Sequence, residues 1–189
     1  MSPIPKISVP IICSNNEDTI TAVLESIKGL ANEIVVIVDT NSRDKTLEIV
    51  KQYTDKVFVE PWRGFRDQKN EALKRCTGEW ILSLDSDEVV SPELKDEILK
   101  TLASGKYNGY FLNRRTIYAG KLMKFAWQPD YRLRLVLANA GAIWVGKSVH
   151  EVLTVNGGLS KLKGFLYHYS YKDITDHFQR TLQYAKGAA

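Results

Sequence analysis

The sequence has 189 residues, 44% of them hydrophobic and 25% charged, an ordinary globular mix long enough to bury one sizeable core. A formal charge of +4 is too small to argue for nucleic acid, and no apolar run approaches bilayer-spanning length. The two cysteines, Cys13 and Cys76, make neither a disulfide framework nor a soft-metal site.

The opening "MSPIPKISVPIIC" lacks a signal-peptide apolar region and cleavage site, so a cytoplasmic location is expected, with peripheral contact at the inner membrane left open. "KISVPIIC" (6–13) reads as a first strand despite Pro10, which removes a ladder donor. "NEDTITAVLESIKGL" (16–30) places Ile20, Leu24 and Ile27 at helical spacing, with Asn16 or Asp18 as cap and Gly29 as terminator. "EIVVIVD" (33–39) is a continuous apolar strand ending on Asp39. A polar turn and a helix follow, with Leu47, Val50 and Tyr53 inward.

"DKVFVEP" (55–61) is a third strand. "GFRDQKNEALKRC" (64–76) is a helix expected to bury Phe65, Ala72 and Leu73, and "EWILSLD" (79–85) is a fourth strand. "SPELKDEILKTLA" (91–103) is a helix capped by Ser91, with Pro92 in its first turn and a stripe of Leu94, Ile98 and Leu102. Strands alternating with helices predict an α/β fold: a Rossmann-like, mostly parallel central sheet with helices on both faces. Beyond residue 105 the pattern changes to strands, a turn at Ala119–Gly120 and a final helix. This smaller, antiparallel C-terminal part is expected to lie against the first sheet.

In such sheets ligands gather beyond the carboxyl ends of the strands. Several strands run there into acidic or amide residues: Asn15, Asn16 and Glu17; Asp39; and Asp85 with Asp87. The stretch Asp85-Ser86-Asp87 suits Mg2+ or Mn2+, which take one or two carboxylates and complete their shell with substrate phosphates. A solvated acidic turn explains the same three residues. Asp39 suits a nucleotide amide or ribose hydroxyl, and also a plain turn aspartate. No glycine-rich dinucleotide fingerprint and no phosphate-binding "GxxxxGK" loop is present, which weakens redox chemistry and ATP hydrolysis.

Arg66, Gln68, Lys69 and Asn70 can approach an anion over this rim, although for Arg66 plain helix surface is the preferred reading. Arg132 and Arg134 form an i,i+2 pair in "YRLRL" that can offset diphosphate charge. In "WVGKSVHEVL" (144–153) Glu151 can act as a general base on an acceptor hydroxyl, with His150 beside it. His168, in "YHYSY", can bind metal or phosphate, or pack with its aromatic neighbours.

With these pieces together, the chain resembles the inverting, nucleotide-sugar-dependent glycosyltransferases of family 2, which have the GT-A fold. The matching stretches are "ISVPIICSNNEDTITAVLESI", "EIVVIVDTNSRDKTLEIV" and "DQKNEALKRCTGEWILSLDSDEVVSPEL", covering the first 105 residues. "WVGKSVHEVL" and "GFLYHYSYKD" extend a narrower likeness to the lipopolysaccharide core β-glucosyltransferase branch.

The resemblance implies that Asp87 chelates the metal bridging the donor diphosphate and that Asp85 serves the ribose or sugar side. It implies that Asp39 contacts the base, that Glu17 and Asn15 lie near the nucleoside, and that Lys69 lies near base or phosphate. Glu151 falls where the branch holds its base, and His168 near the metal. The implied activity is metal-dependent transfer of a hexose, by analogy glucose, from a UDP-sugar to a glycan or glycolipid.

Residues 1–105 would then form the nucleotide-sugar-binding half and 106–189 the acceptor-side half of one domain. "CSNNEDTI" and "DTNSRDKT" depart from the commonest family wording but keep Asp39. Branch members commonly continue past residue 189, so the C-terminus is expected to be short. A nucleotidyltransferase and a non-catalytic nucleotide-sugar-binding scaffold are the rival readings. The first would want a glycine-rich loop where "CSNNED" stands. The second sits poorly with four retained carboxylates. Nothing in the sequence fixes the oligomeric state.

Overall fold

The computed structural model describes residues 5–103, 105–147 and 150–188. The elements are β1 (Ile7–Cys13), α1 (Ile20–Ser26), β2 (Glu33–Asp39), α2 (Thr46–Val50), β3 (Val57–Glu60), α3 (Phe65–Lys74), β4 (Trp80–Leu82), β5 (Leu84–Asp85), β6 (Glu88–Val90), α4 (Pro92–Leu102), β7 (Gly109–Tyr118), β8 (Lys121–Leu122), β9 (Asp130–Leu137), β10 (Ile143–Val145), β11 (Val152–Thr154), β12 (Leu159–Tyr171) and α5 (Ile174–Ala188).

Among the described residues, ten strands form one sheet. Its order is β3-β2-β1-β4-β9-β7-β12-β6, with β5 on β1 and β8 on β7; β10 and β11 pair separately. The pairs β1–β2, β2–β3, β1–β4 and β1–β5 are parallel, as the alternation of strands and helices predicts. The α/β fold class is borne out. The later strands attach differently from the expectation: they extend the first sheet edge to edge, through the antiparallel β4–β9 pair, instead of lying against it. β12 runs parallel to β7 and antiparallel to β6.

Pro10 sits in the middle of β1 without disrupting it. On one side Pro10 pairs with Val35. On the other, the pairing breaks between Ser8/Ile81 and Ile11/Leu84, so the missing N–H falls where the ladder is already interrupted. That interruption divides the expected fourth strand into β4 and β5 around Ser83, whose N–H donates to the Arg134 carbonyl at 2.8 Å instead. The chain is thereby re-aimed just before Asp85.

The main core gathers Ile7, Val9 and Ile11 of β1 with Val23 and Leu24 of α1, Val36 and Val38 of β2, and Leu94 and Ile98 of α4. Ser91 caps α4 as expected, accepting from the Leu94 N–H at 3.1 Å, and Leu94, Ile98 and Leu102 are its buried stripe. Each such buried side chain contributes about 1.5–3 kcal/mol. α4 lies so close to β12 that a Cβ at Gly164 would stand 2.5 Å from the Leu94 Cα; only glycine fits there. α1 is shorter than expected, and no side chain caps it. Asn16 instead offers its carbonyl to the N–H groups of Thr19 and Ile20.

Candidate active site

At the carboxyl ends of β1, β2 and β5 lies a cleft of about 950 Å³ lined by Ser14, Asn16, Asp39, Trp62, Phe65, Lys69, Asp85, Asp87, Arg114, His150, Glu151 and His168, among others. This volume is in the range of small-molecule and cofactor sites. Each segment reaches the cleft for a local reason. β2 ends on Asp39, whose carboxylate accepts from the Ser14 hydroxyl at 3.2 Å and the Asn41 N–H at 3.0 Å. The turn after β5 is tied to α1 by the Thr19 hydroxyl, which donates to the Ser86 carbonyl at 2.9 Å. The Tyr169 N–H, donating to the Asp87 carbonyl at 2.9 Å, ties the same turn to β12.

Beneath the cleft lies a network of charges. Lys69 Nζ contacts Asp85 Oδ1 at 2.7 Å and Glu151 Oε1 at 2.9 Å. Arg134 Nη2 contacts Asp85 Oδ2 at 2.5 Å and Glu88 Oε1 at 2.8 Å. Glu88 is fully buried and also accepts from the Asp85 N–H at 3.1 Å. Burial alone would raise the Asp85 pKa, but Arg134 and Lys69 outweigh it and hold the carboxyl well below the usual carboxylate range. Arg134 is likewise opposed by burial and held in its charged form by Asp85 and Glu88. Both oxygens of Asp85 are thus engaged by cations, while Asp87 is free of such a clamp.

Asp87 Oδ2 faces His168 Nε2 at 3.4 Å. The other ring nitrogen, Nδ1, lies 2.7 Å from the Ser170 hydroxyl, an outer contact of the kind that fixes a ligating histidine. Burial lowers the His168 pKa, but the neighbouring Asp87 more than compensates and raises it. Among the described residues no three His, Cys, Asp or Glu side chains are placed to hold a metal by themselves. A carboxylate and an imidazole on one cleft wall do fit an ion whose remaining positions are filled by substrate phosphates and water.

Cys13 also lines the cleft, but burial, with a smaller contribution from Asp44, pushes its thiol up to about 12. It is no nucleophile.

The structure brings Asp39, Lys69, Asp85, Asp87, Glu151 and His168 to one cleft. Four other candidates are placed elsewhere. Asn15 accepts from the Arg43 N–H at 2.8 Å and Glu17 from the Lys45 N–H at 2.9 Å. Both stitch the loop after β1 to the loop after β2, and Ser14 and Asn16 line the cleft instead. Arg134 is buried beneath the site, and Arg132 pairs outside it with Asp130 at 2.8 Å.

The arginine on the cleft wall is Arg114, held by Asp130 at 2.7 Å and by Glu88 at 3.4 Å. Sequence reading passed over it as part of a basic stretch; its only signal is "NRRT" in β7. Of the α3 group, Gln68 is buried and Asn70 is turned to the backbone of Trp144. Neither reaches out over the rim. Trp62 and Phe65, in edge-to-face contact at 4.9 Å, form the aromatic wall that sequence reading also missed.

Fold and site together define an α/β protein with an acidic cleft at the carboxyl ends of its parallel strands, where such sheets take their ligands. The chain belongs to glycosyl transferase family 2, whose family-wide pattern matches residues 8–138. It is 33% identical over 181 residues to a glycosyltransferase of Rickettsia typhi, covering 89% of this chain and 62% of that protein. It is 31% identical over 180 residues to the lipopolysaccharide core biosynthesis glycosyltransferase LpsC of Rhizobium meliloti, covering 88% of this chain and 64% of LpsC. The chain thus spans less than two thirds of the length of these relatives.

Two solved structures share the fold. S. aureus TarS 1-349 in complex with UDP-GlcNAc superposes with a TM-score of 0.62 at 18% identity, over 87% of this chain and 58% of that one. Glucosyl-3-phosphoglycerate synthase from Mycobacterium tuberculosis, in complex with Mg2+ and UDP, gives 0.57 at 16% identity, over 88% and 72%. The expected GT-A fold is borne out.

Proposed function

We propose that the chain carries the donor site and catalytic centre of a metal-dependent inverting glycosyltransferase. It moves a hexose, by branch analogy glucose, from a UDP-sugar to a hydroxyl of a glycan or glycolipid such as lipopolysaccharide core. The observation that carries this reading is the convergence of Asp39, Asp85, Asp87 and Glu151, from three separate chain segments, on one cleft. The name of LpsC and the UDP-GlcNAc bound by TarS support the acceptor and donor classes.

In this reading Asp39 and the aromatic pair Trp62 and Phe65 take the nucleoside, and Arg114 offsets diphosphate charge. Asp87 and His168 would hold Mg2+ or Mn2+, which when bound neutralises the diphosphate and supports it as a leaving group. Glu151 accepts the proton of the acceptor hydroxyl. The acceptor oxygen attacks the anomeric carbon from the face opposite the diphosphate, the bond to the diphosphate breaks, and configuration inverts in one displacement. Residues 1–105 supply most of the nucleotide side and residues 106–189 the acceptor side.

The proposed location is cytoplasmic, supported by two free thiols, one of them buried. No described helix is long and apolar enough to cross a membrane. Peripheral contact with an anionic bilayer is supported by exposed Leu122, Phe125 and Trp127 beside exposed Lys121 and Lys124.

The test is calorimetric titration of UDP with and without Mn2+ into the wild type and Asp87→Asn. Binding should require the metal in the wild type and lose that dependence in Asp87→Asn. Glu151→Gln should bind UDP as the wild type does but not turn over a sugar donor. Metal-independent binding, equal in wild type and Asp87→Asn, would overturn the metal assignment.

A further inference from the structure

Helix α3 does more than present Lys69. Three residues on one of its faces, spaced i, i+3 and i+4, grip the β10–β11 hairpin. Arg66 Nη1 donates to the Gly146 carbonyl at 3.3 Å. Lys69 Nζ lies 4.3 Å above the Trp144 ring while contacting Glu151. Asn70 makes two bonds to a single residue: its Nδ2 donates to the Trp144 carbonyl and its Oδ1 accepts from the Trp144 N–H, both at 2.9 Å. The side-chain amide thus occupies the place of a neighbouring strand on the free edge of β10, using the donor and acceptor of one peptide-like group.

The strands of the hairpin are only partly buried. Trp144 and Leu153 are buried against Ile81, Leu133 and Val136, but Ile143, Val145 and Val152 are all more than a third exposed. At Gly146 the chain turns with a φ of +98°, and a Cβ there would stand 2.9 Å from the His150 carbonyl. Glu151 directly precedes Val152, the partner of Val145. The reach of its carboxylate therefore depends on how β10 is docked to α3.

We infer that Asn70 is a positioning residue: by clamping the Trp144 peptide to α3, it sets the Glu151 carboxylate against Lys69 and the sugar-donor cleft. The inference rests on the reading of Glu151 as the base. Asn70 touches no reacting atom, and its effect passes through the hairpin. Placement errors of about 1 Å in a reacting group cost on the order of 10²-fold in rate, so loss of the clamp should be read in turnover and not in donor affinity.

Two measurements on the whole chain test this. In the first, the protein is labelled with 5-fluorotryptophan, and Trp144 is assigned among the four tryptophans with Trp144→Phe. Asn70→Ala should shift or broaden the Trp144 fluorine resonance and leave the other three in place. An unmoved Trp144 resonance overturns the inference without any substrate.

In the second, UDP release from UDP-glucose and from UDP-N-acetylglucosamine is followed in Mn2+. Asn70→Ala should lower kcat by roughly 10- to 100-fold with KM and UDP affinity within about twofold. Asn70→Asp, which keeps the acceptor for the Trp144 N–H but loses the donor, should fall between. It carries the test if the alanine variant fails to fold. A changed KM beside an unchanged kcat overturns the inference, and if neither donor turns over, the fluorine resonance decides alone. Failures separate through Glu151→Gln: normal turnover there removes the base assignment, whereas an inactive Glu151→Gln beside a fully active Asn70→Ala overturns the clamp alone.

Discussion

Replacing Arg134 with methionine asks whether the acidic floor of the cleft is held together by charge. Arg134 is 5% exposed, and its guanidinium bridges Asp85 at 2.5 Å and Glu88 at 2.8 Å. In the variant, Asp85 keeps Lys69 at 2.7 Å, but Glu88 keeps Arg114, at 3.4 Å, as its one cation beside the Asp85 N–H. Removing one partner of a buried pair costs roughly 3–5 kcal/mol, because the charge left behind stays out of water. The two surviving cations put Arg134→Met near the lower end, about 3 kcal/mol. With a urea m-value of about 2 kcal/mol/M, the unfolding midpoint should drop by roughly 1.5 M at pH 7.

The gap should depend on pH with a definite sign. Burial raises the wild-type Asp85 pKa, but Arg134 and Lys69 carry it far below its ordinary value of 3.8. Its contribution is therefore complete above pH 3.8 and is lost as pH falls toward the folded value. Arg134→Met lacks the guanidinium's share of that contribution, and the carboxylates it leaves under-compensated are relieved by protonation. The difference between the proteins should shrink in acid. The double variant Arg134→Met/Glu88→Gln should recover part of the loss. A single variant within about 1 kcal/mol of wild type at an unchanged m-value, or a gap that widens in acid, would refute a charge-held floor.

Gln68 is fully buried in α3, and neither its amide nitrogen nor its amide oxygen has a partner among the described residues. Gln68→Met, similar in volume and free of polar groups, should be neutral or stabilising by about 1 kcal/mol in chemical denaturation, and a loss of that size would contradict it. Burial opposes ionisation of Glu33, but the Lys56 ammonium, the Ser8 hydroxyl and the Thr77 N–H and hydroxyl bring its pKa down to about 2. Its stabilisation should be complete above pH 4.5 and fade as pH falls toward 2. Glu33→Gln should cost roughly 1–2 kcal/mol at pH 7 and flatten stability over that window, whereas an unaltered acid limb would show that the tie is weak. Vesicles rich in phosphatidylglycerol should carry the wild type upward in a density gradient and release it at high salt, while Phe125→Ser with Lys121→Gln and Lys124→Gln should stay at the bottom; equal flotation would discard the membrane contact.

The first half was legible because its signals are local. Continuous apolar runs ending on carboxylates predict buried parallel strands with a polar rim, and Ser91-Pro92 marks the start of α4. The misplacements share one cause, which is that periodicity assigns a face but not what covers it. Lys69 reaches the cleft, as expected, but its burial there is not visible in a local window. It is buried at 6% exposure because Asp85 and Glu151, 16 and 82 positions away, neutralise it. Arg132 and Arg134 alternate correctly along β9, yet only the sheet order, which sets β9 between β4 and β7, puts Arg134 under the cleft and leaves Arg114 on its wall. Asn15 and Asn16 are adjacent and chemically alike. The backbone of Asn15, at a φ of +54°, turns its amide toward Arg43 and hands the cleft to its neighbour. The parts of the site nearest the chemistry are therefore the least local ones. Arg114 and His168 lie on strands that extend the first sheet, and Glu151 beside the separate β10–β11 hairpin, so no local window joins them to the aspartates.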